Sequence, residues 1–305
     1  MCPIAGTSII HDMRISKYTR TVVTFLILFL TIPLSASFPA PKEDGDFFPP
    51  PPRNHVTFWG HACCYIDVDG FGIVTDPVFT GRYIFRRRKI PVPPVQSRAG
   101  ARLILVSHAH MDHLDKESIA MFPDSAMVLC PWTVAGYIEE MGRDFTIMRP
   151  GDTYEYPHGK VVAVSADHPG KRYAMRKGGA DDAIGFVITT PYGNVYYSGD
   201  TGYFEGMVDI GAAWQPDIAI INLTPHLSGG NAVRAVWATR AEAVIPVHFG
   251  AYDYILFGPL KAPRGYDDIS EMISGQAVLL QPGESLSLER EVRRAAAQKP
   301  NPRLE

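Results

Sequence analysis

A nine-residue string, Ser107-His108-Ala109-His110-Met111-Asp112-His113-Leu114-Asp115, decides more about this chain than any other stretch. It directly follows Arg102-Leu-Ile-Leu-Val-Ser107, an almost unbroken apolar run. A run of that kind reads as a strand buried on both faces, so its sheet needs a layer packed on each side. Three His and one Asp then fall within six residues at the strand's end, in a chain with only ten histidines. Side chains leaving a strand end together can converge on a small volume. Neutral imidazole and carboxylate are the natural ligands of zinc and similar ions. The competing reading is a solvated loop opening a helix, and it gives no reason for His at alternate positions.

The rest of the pattern supplies the layers. Val56–Trp59, Cys64–Val68 and Phe71–Thr75 read as strands, with Asp69-Gly70 as a hairpin turn. Lys116–Phe122 and Thr133–Met141 read as helices. Val161–Ser165, Ala183–Thr190 and Asn194–Ser198 are strands, with Pro191-Tyr192-Gly193 as a turn, and Asp217–Asn222 and Ala243–Val247 are buried strands. Between the last two, Asn231–Thr239 reads as a helix with Asn231 as its N-cap. Ala277–Leu280 and Leu286–Leu288 close the series. Hairpins followed by strand–helix alternation, twice over, predict an α/β fold: an αββα sandwich of two packed mixed sheets with helices on the outer faces. At 46% hydrophobic residues the chain can fill such a core. One domain over residues 53–290 is the economical division, followed by a polar tail at 291–305.

Residues 1–52 read differently. Arg14, Lys17 and Arg20 precede the uncharged run Thr21–Leu34, and Ser35, Ala36 and Ser37 follow. This basic, apolar, small-residue order marks residues 1–37 as a secretory signal, or as an anchor through residues 21–34. A spanning helix needs about 20 residues, which favours the signal. Either places the protein outside the cytoplasm, periplasmic or extracellular, or at a membrane. Residues 38–52, with Pro49–Pro52 in a row, read as a spacer. A net charge of −3 gives no basis for nucleic-acid binding. Cys63, Cys64 and Cys130 form neither a disulfide framework nor a CxxC zinc site.

Three further groups follow strands. His168 lies in Ala166-Asp-His-Pro169, Asp200 in Ser198-Gly-Asp-Thr-Gly202, and His248 in Pro246-Val-His-Phe-Gly250. A lone His at a strand end is more often structural. With the 108–113 string these make seven candidate ligands, enough for two metals and an open position for water.

The HxHxDH string, the later His, the GDTG Asp and the last His before Phe249-Gly250 resemble the metallo-β-lactamase superfamily. Phe58-Trp-Gly-His-Ala62, Thr75-Asp-Pro-Val-Phe79, Leu114-Asp115 and Pro246-Val-His-Phe-Gly250 resemble the branch containing N-acylphosphatidylethanolamine phospholipase D and L-ascorbate-6-phosphate lactonase. The resemblance implies that His108, His110 and His168 bind one metal, that Asp112, His113 and His248 bind another, and that Asp200 bridges them. Zinc, two per chain, is the expected ion, with other divalent metals compatible. Asp76 would fix a ligand His from behind, or be a turn residue before Pro77. His61 would line the pocket or be a strand-end His. Relatives carry a His-Met pair in a Gly-rich turn, where this chain has Leu223-Thr-Pro-His226-Leu-Ser-Gly-Gly230. His226 is then a proton donor or an exposed loop residue.

The resemblance implies hydrolysis by a hydroxide held between the metals, with Asp112 orienting it. The first substrate class is a phosphodiester of a phospholipid-like molecule. A lactone or other cyclic ester is the alternative, and a metal-binding protein without turnover a second one. Arg86-Arg-Arg-Lys89, read as a loop near the site mouth, is a solvated face or a patch for anionic head groups. Tyr252, Tyr254, Leu256 and Phe257 wall an apolar pocket or belong to the core. A small-molecule or lipid substrate, with contact to a membrane surface, completes the expected partners.

Overall fold

The computed structural model describes residues 47–80, 86–174, 179, 181–224, 227–248, 251–254, 258–259 and 277–297, and the side chains of 86, 87, 253, 254, 258, 259 and 295–297 lie outside it. In chain order the strands are β1 (His55–Gly60), β2 (Cys63–Val68), β3 (Phe71–Thr75), β4 (Arg86–Arg88), β5 (Ala101–Leu105), β6 (Met127–Cys130), β7 (Phe145–Ile147), β8 (Thr153–Tyr156), β9 (Gly159–Ser165), β10 (Ile184–Thr190), β11 (Gly193–Tyr197), β12 (Ile218–Asn222), β13 (Ala243–Val247), β14 (Tyr252–Tyr254), β15 (Gly258–Pro259) and β16 (Ser285–Ser287). The helices are α1 (Val95–Arg98), α2 (Lys116–Ala120), α3 (Trp132–Glu139), α4 (Gly206–Trp214), α5 (Gly229–Thr239) and α6 (Arg290–Ala297).

Two large sheets result. One runs β16-β1-β2-β3-β5-β6-β7, the other β13-β12-β11-β10-β9-β8, and a small sheet joins β15, β14 and β4. Both large sheets are mixed. The first is antiparallel from β16 to β3 and parallel from β3 to β7. The second is antiparallel from β8 to β11 and parallel from β11 to β13. The hairpin turn after β2 holds Asp69 and Gly70 at φ +54° and +88°, the left-handed pair that a two-residue turn between twisted strands needs.

Alternation along the strands sorts the core into three layers. Phe58, Ile66, Ile73, Leu103 and Leu105 of the first sheet meet Ala163, Phe186, Tyr197, Ile220 and Ile245 of the second. On the first sheet's outer face Tyr65, Ile104 and Val128 pack with Ile119, Val134 and Ile138 of α2 and α3. On the second sheet's outer face Val187, Tyr196 and Ala219 pack with Met207, Ile210, Val233 and Val236 of α4 and α5. This is the αββα sandwich expected. The run at 102–107 is covered on both sides: Leu103 and Leu105 face the second sheet, and Ile104 and Val106 face the helices.

Several expectations need correction. The helix before β13 begins at Gly229, with Ser228 in the extended N-cap position, so Asn231 lies inside it. Buried Leu227 already anchors the chain entry there. Ala277–Leu280 forms no strand; Ala277 makes one bridge to Val244 before the chain turns at Pro282-Gly283. Residues 291–297, read as tail, belong to α6, whose Arg293 is buried and reaches Asp217 and Glu242. The spacer's last part is docked, with Phe48 fully buried on the first sheet's outer face. Arg86–Arg88 is a strand, paired with β14. Residues 1–46 lie outside the described residues, so the signal or anchor does too. Among the described residues no helix is long and apolar enough to cross a membrane.

Candidate metal centre

Every candidate ligand lies where a strand ends. Asp76 follows β3, His108–His113 follow β5, His168 follows β9, Asp200 follows β11 and His248 follows β13. The first sheet thus contributes Asp76 and the string, and the second sheet His168, Asp200 and His248. The two sets meet because the sheets close tightly here. Ile184 N–H donates to Ser107 O at 3.0 Å. Gly199 has φ +55°, and a Cβ on it would sit 2.7 Å from the Ser107 Cβ. Only glycine at 199 lets Asp200 approach the string.

The histidines are oriented from behind, which fixes their tautomers. Asp76 is fully buried. Its carboxylate accepts from Ser107 N–H at 2.7 Å, Ser107 Oγ at 2.5 Å, His113 Nδ1 at 2.7 Å and Tyr197 OH at 2.5 Å. His113 therefore carries its proton on Nδ1 and turns the Nε2 lone pair inward. Because Ser107 Oγ donates to Asp76, it accepts from His108 Nδ1 at 3.0 Å, so the His108 Nε2 lone pair also points inward. His110 Nε2 donates to the Ala174 carbonyl at 3.1 Å, which leaves Nδ1 as its inward atom. Partners behind a ligand imidazole do this work in metal sites generally.

The inward atoms crowd together. His110 Nδ1 lies 3.1 Å from His168 Nε2, and His113 Nε2 lies 3.2 Å from His248 Nε2. His108 Nε2 is buried with no hydrogen-bond partner among the described residues. His108, His110 and His168 form one cluster able to hold an ion, and His61, Asp112, His113 and His248 form another. Asp200 stands between them. Its Oδ1 is 3.3 Å from His113 Nε2 and 3.5 Å from His248 Nε2, and its Oδ2 is 3.8 Å from His168 Nε2. Asn222, at the end of β12, donates to Asp200 Oδ1 at 3.0 Å and fixes the carboxylate's rotation.

The charge states suit cation binding. Burial opposes the charge on Asp200, but His113 and His248 outweigh it and hold its pKa well below the usual carboxylate range. Asp112 is treated likewise: burial is overcome by the contact with His61 and by His113 and His248. Burial, aided by neighbouring His113, pushes His108 well down, and burial lowers His110. Burial and His248 take His61 down to about 3. His113 goes the other way: burial works against its protonation, yet Asp200 and Asp76 raise its pKa well above normal. Ionised carboxylates, neutral imidazoles and one place that attracts positive charge are the forms a divalent ion needs. The residues fit two such ions.

All seven residues that the sequence singled out as ligands come together. Asp76, one of two readings in the sequence, sits behind them. His61 joins the second cluster. Ser107, Tyr197, Asn222 and the Ala174 carbonyl were missed, because a buried Ser, Tyr or Asn on a strand carries no local signal of what it faces. His226, Leu256 and Phe257 lie outside the described residues, as do the side chains of Tyr254, Arg86 and Arg87. Tyr252 is buried, donates to Val78 O at 2.7 Å and sets its ring edge-on to His61 at 5.2 Å. Arg88 corrects the reading of its basic run: it is 8% exposed and donates to the carbonyls of Val78, Trp59 and Pro91. His110 and Asp112 are half-buried; a cavity of about 220 Å³ reaches the string at Met111 and Leu114 and is lined also by Val78, Asp115, Lys116, Glu117 and Arg172, none of them a candidate ligand.

A family model described as a β-lactamase superfamily domain matches residues 72–249. The chain is 27% identical over 236 residues to a metal-dependent hydrolase of Methanopyrus kandleri, covering 75% of this chain and 98% of that one. It is 31% identical over 206 residues to a metal-dependent hydrolase of Thermoplasma acidophilum, covering 67% and 87%. Among solved structures it resembles Igni18, a metallo hydrolase from Ignicoccus hospitalis, with a TM-score of 0.60 at 22% identity over 76% of this chain and 97% of that one. It also resembles an isothiocyanate hydrolase from Delia radicum gut bacteria, with a TM-score of 0.60 at 16% identity over 76% and 98%. At these identities the structural likeness concerns the fold.

Proposed function

Because the chain belongs to the metallo-β-lactamase superfamily and is a metal-dependent hydrolase, we propose that it uses two divalent ions, zinc foremost, to cleave a phosphodiester in a phospholipid-like substrate. The observation that carries the two-ion reading is Asp200, whose two oxygens face different ligand clusters. Ring nitrogens of His108, His110, His113, His168 and His248 converge around it, a set of donors suited to cations. His108, His110 and His168 would hold one ion, and Asp112, His113 and His248 the other. Ions bound there would supply Lewis acidity, easing deprotonation of water and stabilising charge on a phosphoryl oxygen. Half-buried Asp112 is the group placed to orient the attacking water. His226, four residues beyond β12, is assigned as the proton donor to the leaving group.

The substrate class rests on two supports. In-line displacement at phosphorus matches a centre that can serve attacking and leaving oxygens at once. The cavity next to the string combines apolar Val78, Met111 and Leu114 with Lys116 and Arg172 and with the carboxylates of Asp115 and Glu117, a charge-balanced lining suited to an acyl chain beside a zwitterionic head. The basic, apolar and small residues at 14–37 support export to a membrane-facing compartment, where such a substrate is at hand. N-terminal sequencing of the mature protein should then begin near Ala36–Ala40. The decisive assay offers the metal-loaded protein phospholipid vesicles, a bis-aryl phosphate and a set of lactones. Phosphodiester cleavage abolished by a chelator is expected. Lactone opening with every phosphodiester untouched would replace this reading with the cyclic-ester one, and turnover of nothing would leave a metal-binding protein.

A further inference from the structure

His61 is the first of the two residues that join β1 to β2, and the turn accounts for its backbone but not for where its side chain goes. The β1–β2 pairing slips between Phe58 and Gly60, and a slip of that kind re-aims the next side chain. Gly60 has φ +96°, and a Cβ there would meet Ile90 Cδ1 at 2.5 Å. His61 itself has φ +59° and His248 has φ +80°. Of the seven non-glycine residues with positive φ among the described ones, Asp76, His61 and His248 are at the metal centre, and backbone strain of this kind often collects at functional sites. His61 and His248 are tied together: His248 N–H donates to His61 O at 2.6 Å, and their ring centroids are 4.1 Å apart.

The imidazole that this backbone delivers points at the second cluster. His61 Nε2 is buried without a hydrogen-bond partner among the described residues, and lies 3.7 Å from Asp112 Oδ2. One donor atom each from His61, Asp112, His113 and His248 lies within 4.8 Å of all the others; Asp112 Oδ2 is 3.7 Å from both His61 Nε2 and His248 Nε2, and His248 Nε2 is 3.2 Å from His113 Nε2, separations that fit under the limit of about 4.4 Å for two ligands bonded to one ion at about 2.0–2.2 Å. We infer that His61, through Nε2, is a further protein ligand to the ion held by Asp112, His113 and His248. This rests on the two-ion reading. It makes the two positions unequal: with Asp200 shared, the His61 side is the more saturated, and the His108–His110–His168 side keeps the place for water or substrate.

The test uses the full chain labelled with ¹⁵N-histidine and loaded with ¹¹³Cd. Scalar coupling from cadmium to the His61 Nε2 is expected, assigned through the nearby Tyr252 ring and lost in His61→Gln. Calorimetric titration of His61→Gln should show the affinity of one cadmium step falling at least tenfold while the other stays as in the wild type. Coupling at His113 and His248 with none at His61, or a variant that takes both ions as the wild type does, would overturn the inference. If His61→Gln fails to fold, the wild-type coupling decides alone. A wild-type protein that takes a single cadmium ion would sink the two-ion reading, while the coupling still reports whether His61 binds it.

Discussion

Asp76 accepts four hydrogen bonds in a fully buried place. Asp76→Asn removes the charge and sets an amide donor against donors, so His113 and His108 lose the lock on their tautomers. Metal affinity should fall about 10–100-fold, the usual effect of removing a partner behind a ligand, as measured by competition with a chromophoric chelator. Asp200→Asn acts directly. It keeps the volume but removes the negative charge between the clusters, and metal content and turnover should both drop by at least that factor while the circular dichroism spectrum stays native. A protein with two ions and normal activity would show that Asp200 is no bridge. At this scale the sequence was informative about ligands and poor about their supports. His and Asp at strand ends announce themselves by type and spacing. Asp76 reads equally as a turn residue before Pro77, and Tyr197 and Asn222 read as ordinary strand residues, because only the approach of the second sheet gives them their partners.

Among the elements, β4 departs furthest from its sequence reading. Three consecutive arginines look like a solvated face, yet pairing with β14 turns Arg88 inward. There its guanidinium bonds three backbone carbonyls and lies 5.2 Å from the Phe79 ring centroid and 5.9 Å from that of Tyr252. Arg88→Ala should cost about 2–4 kcal/mol in urea unfolding, since three buried acceptors lose their donor. Arg88→Lys should recover only part of it, an ammonium being unable to match the planar fork. A loss below about 0.5 kcal/mol, the usual range for surface changes, would mean the residue is solvated after all. The long apolar strands and the Asp69-Gly70 turn were legible because period and turn chemistry are local. Short strands such as β6, β7 and β8 were not, being too brief to show a period and held by neighbours far along the chain.

At the scale of the whole molecule, the site is built from both sheets, and any ions in it join them. Chelation should therefore remove stability as well as activity. An ion that binds only the folded chain at a thousandfold excess over its Kd adds about 4 kcal/mol. For a domain of this size that corresponds to a Tm change on the order of 10 °C. Scanning calorimetry with and without chelator checks it; an unchanged Tm would mean that the clusters hold no ion in the folded protein. The layered architecture itself was readable from the order of hairpins and strand–helix units, since each amphipathic element can be covered in few ways.

The scatter of the centre along the sequence has a consequence for biosynthesis. The donors run from His61 to His248, and the last of them follows β13. A chain still being made, or cut short before that strand, cannot close the pair of clusters around anything. Filling both clusters therefore has to wait until the chain has passed His248, whereas the cluster of His108, His110 and His168 is complete in sequence eighty residues earlier.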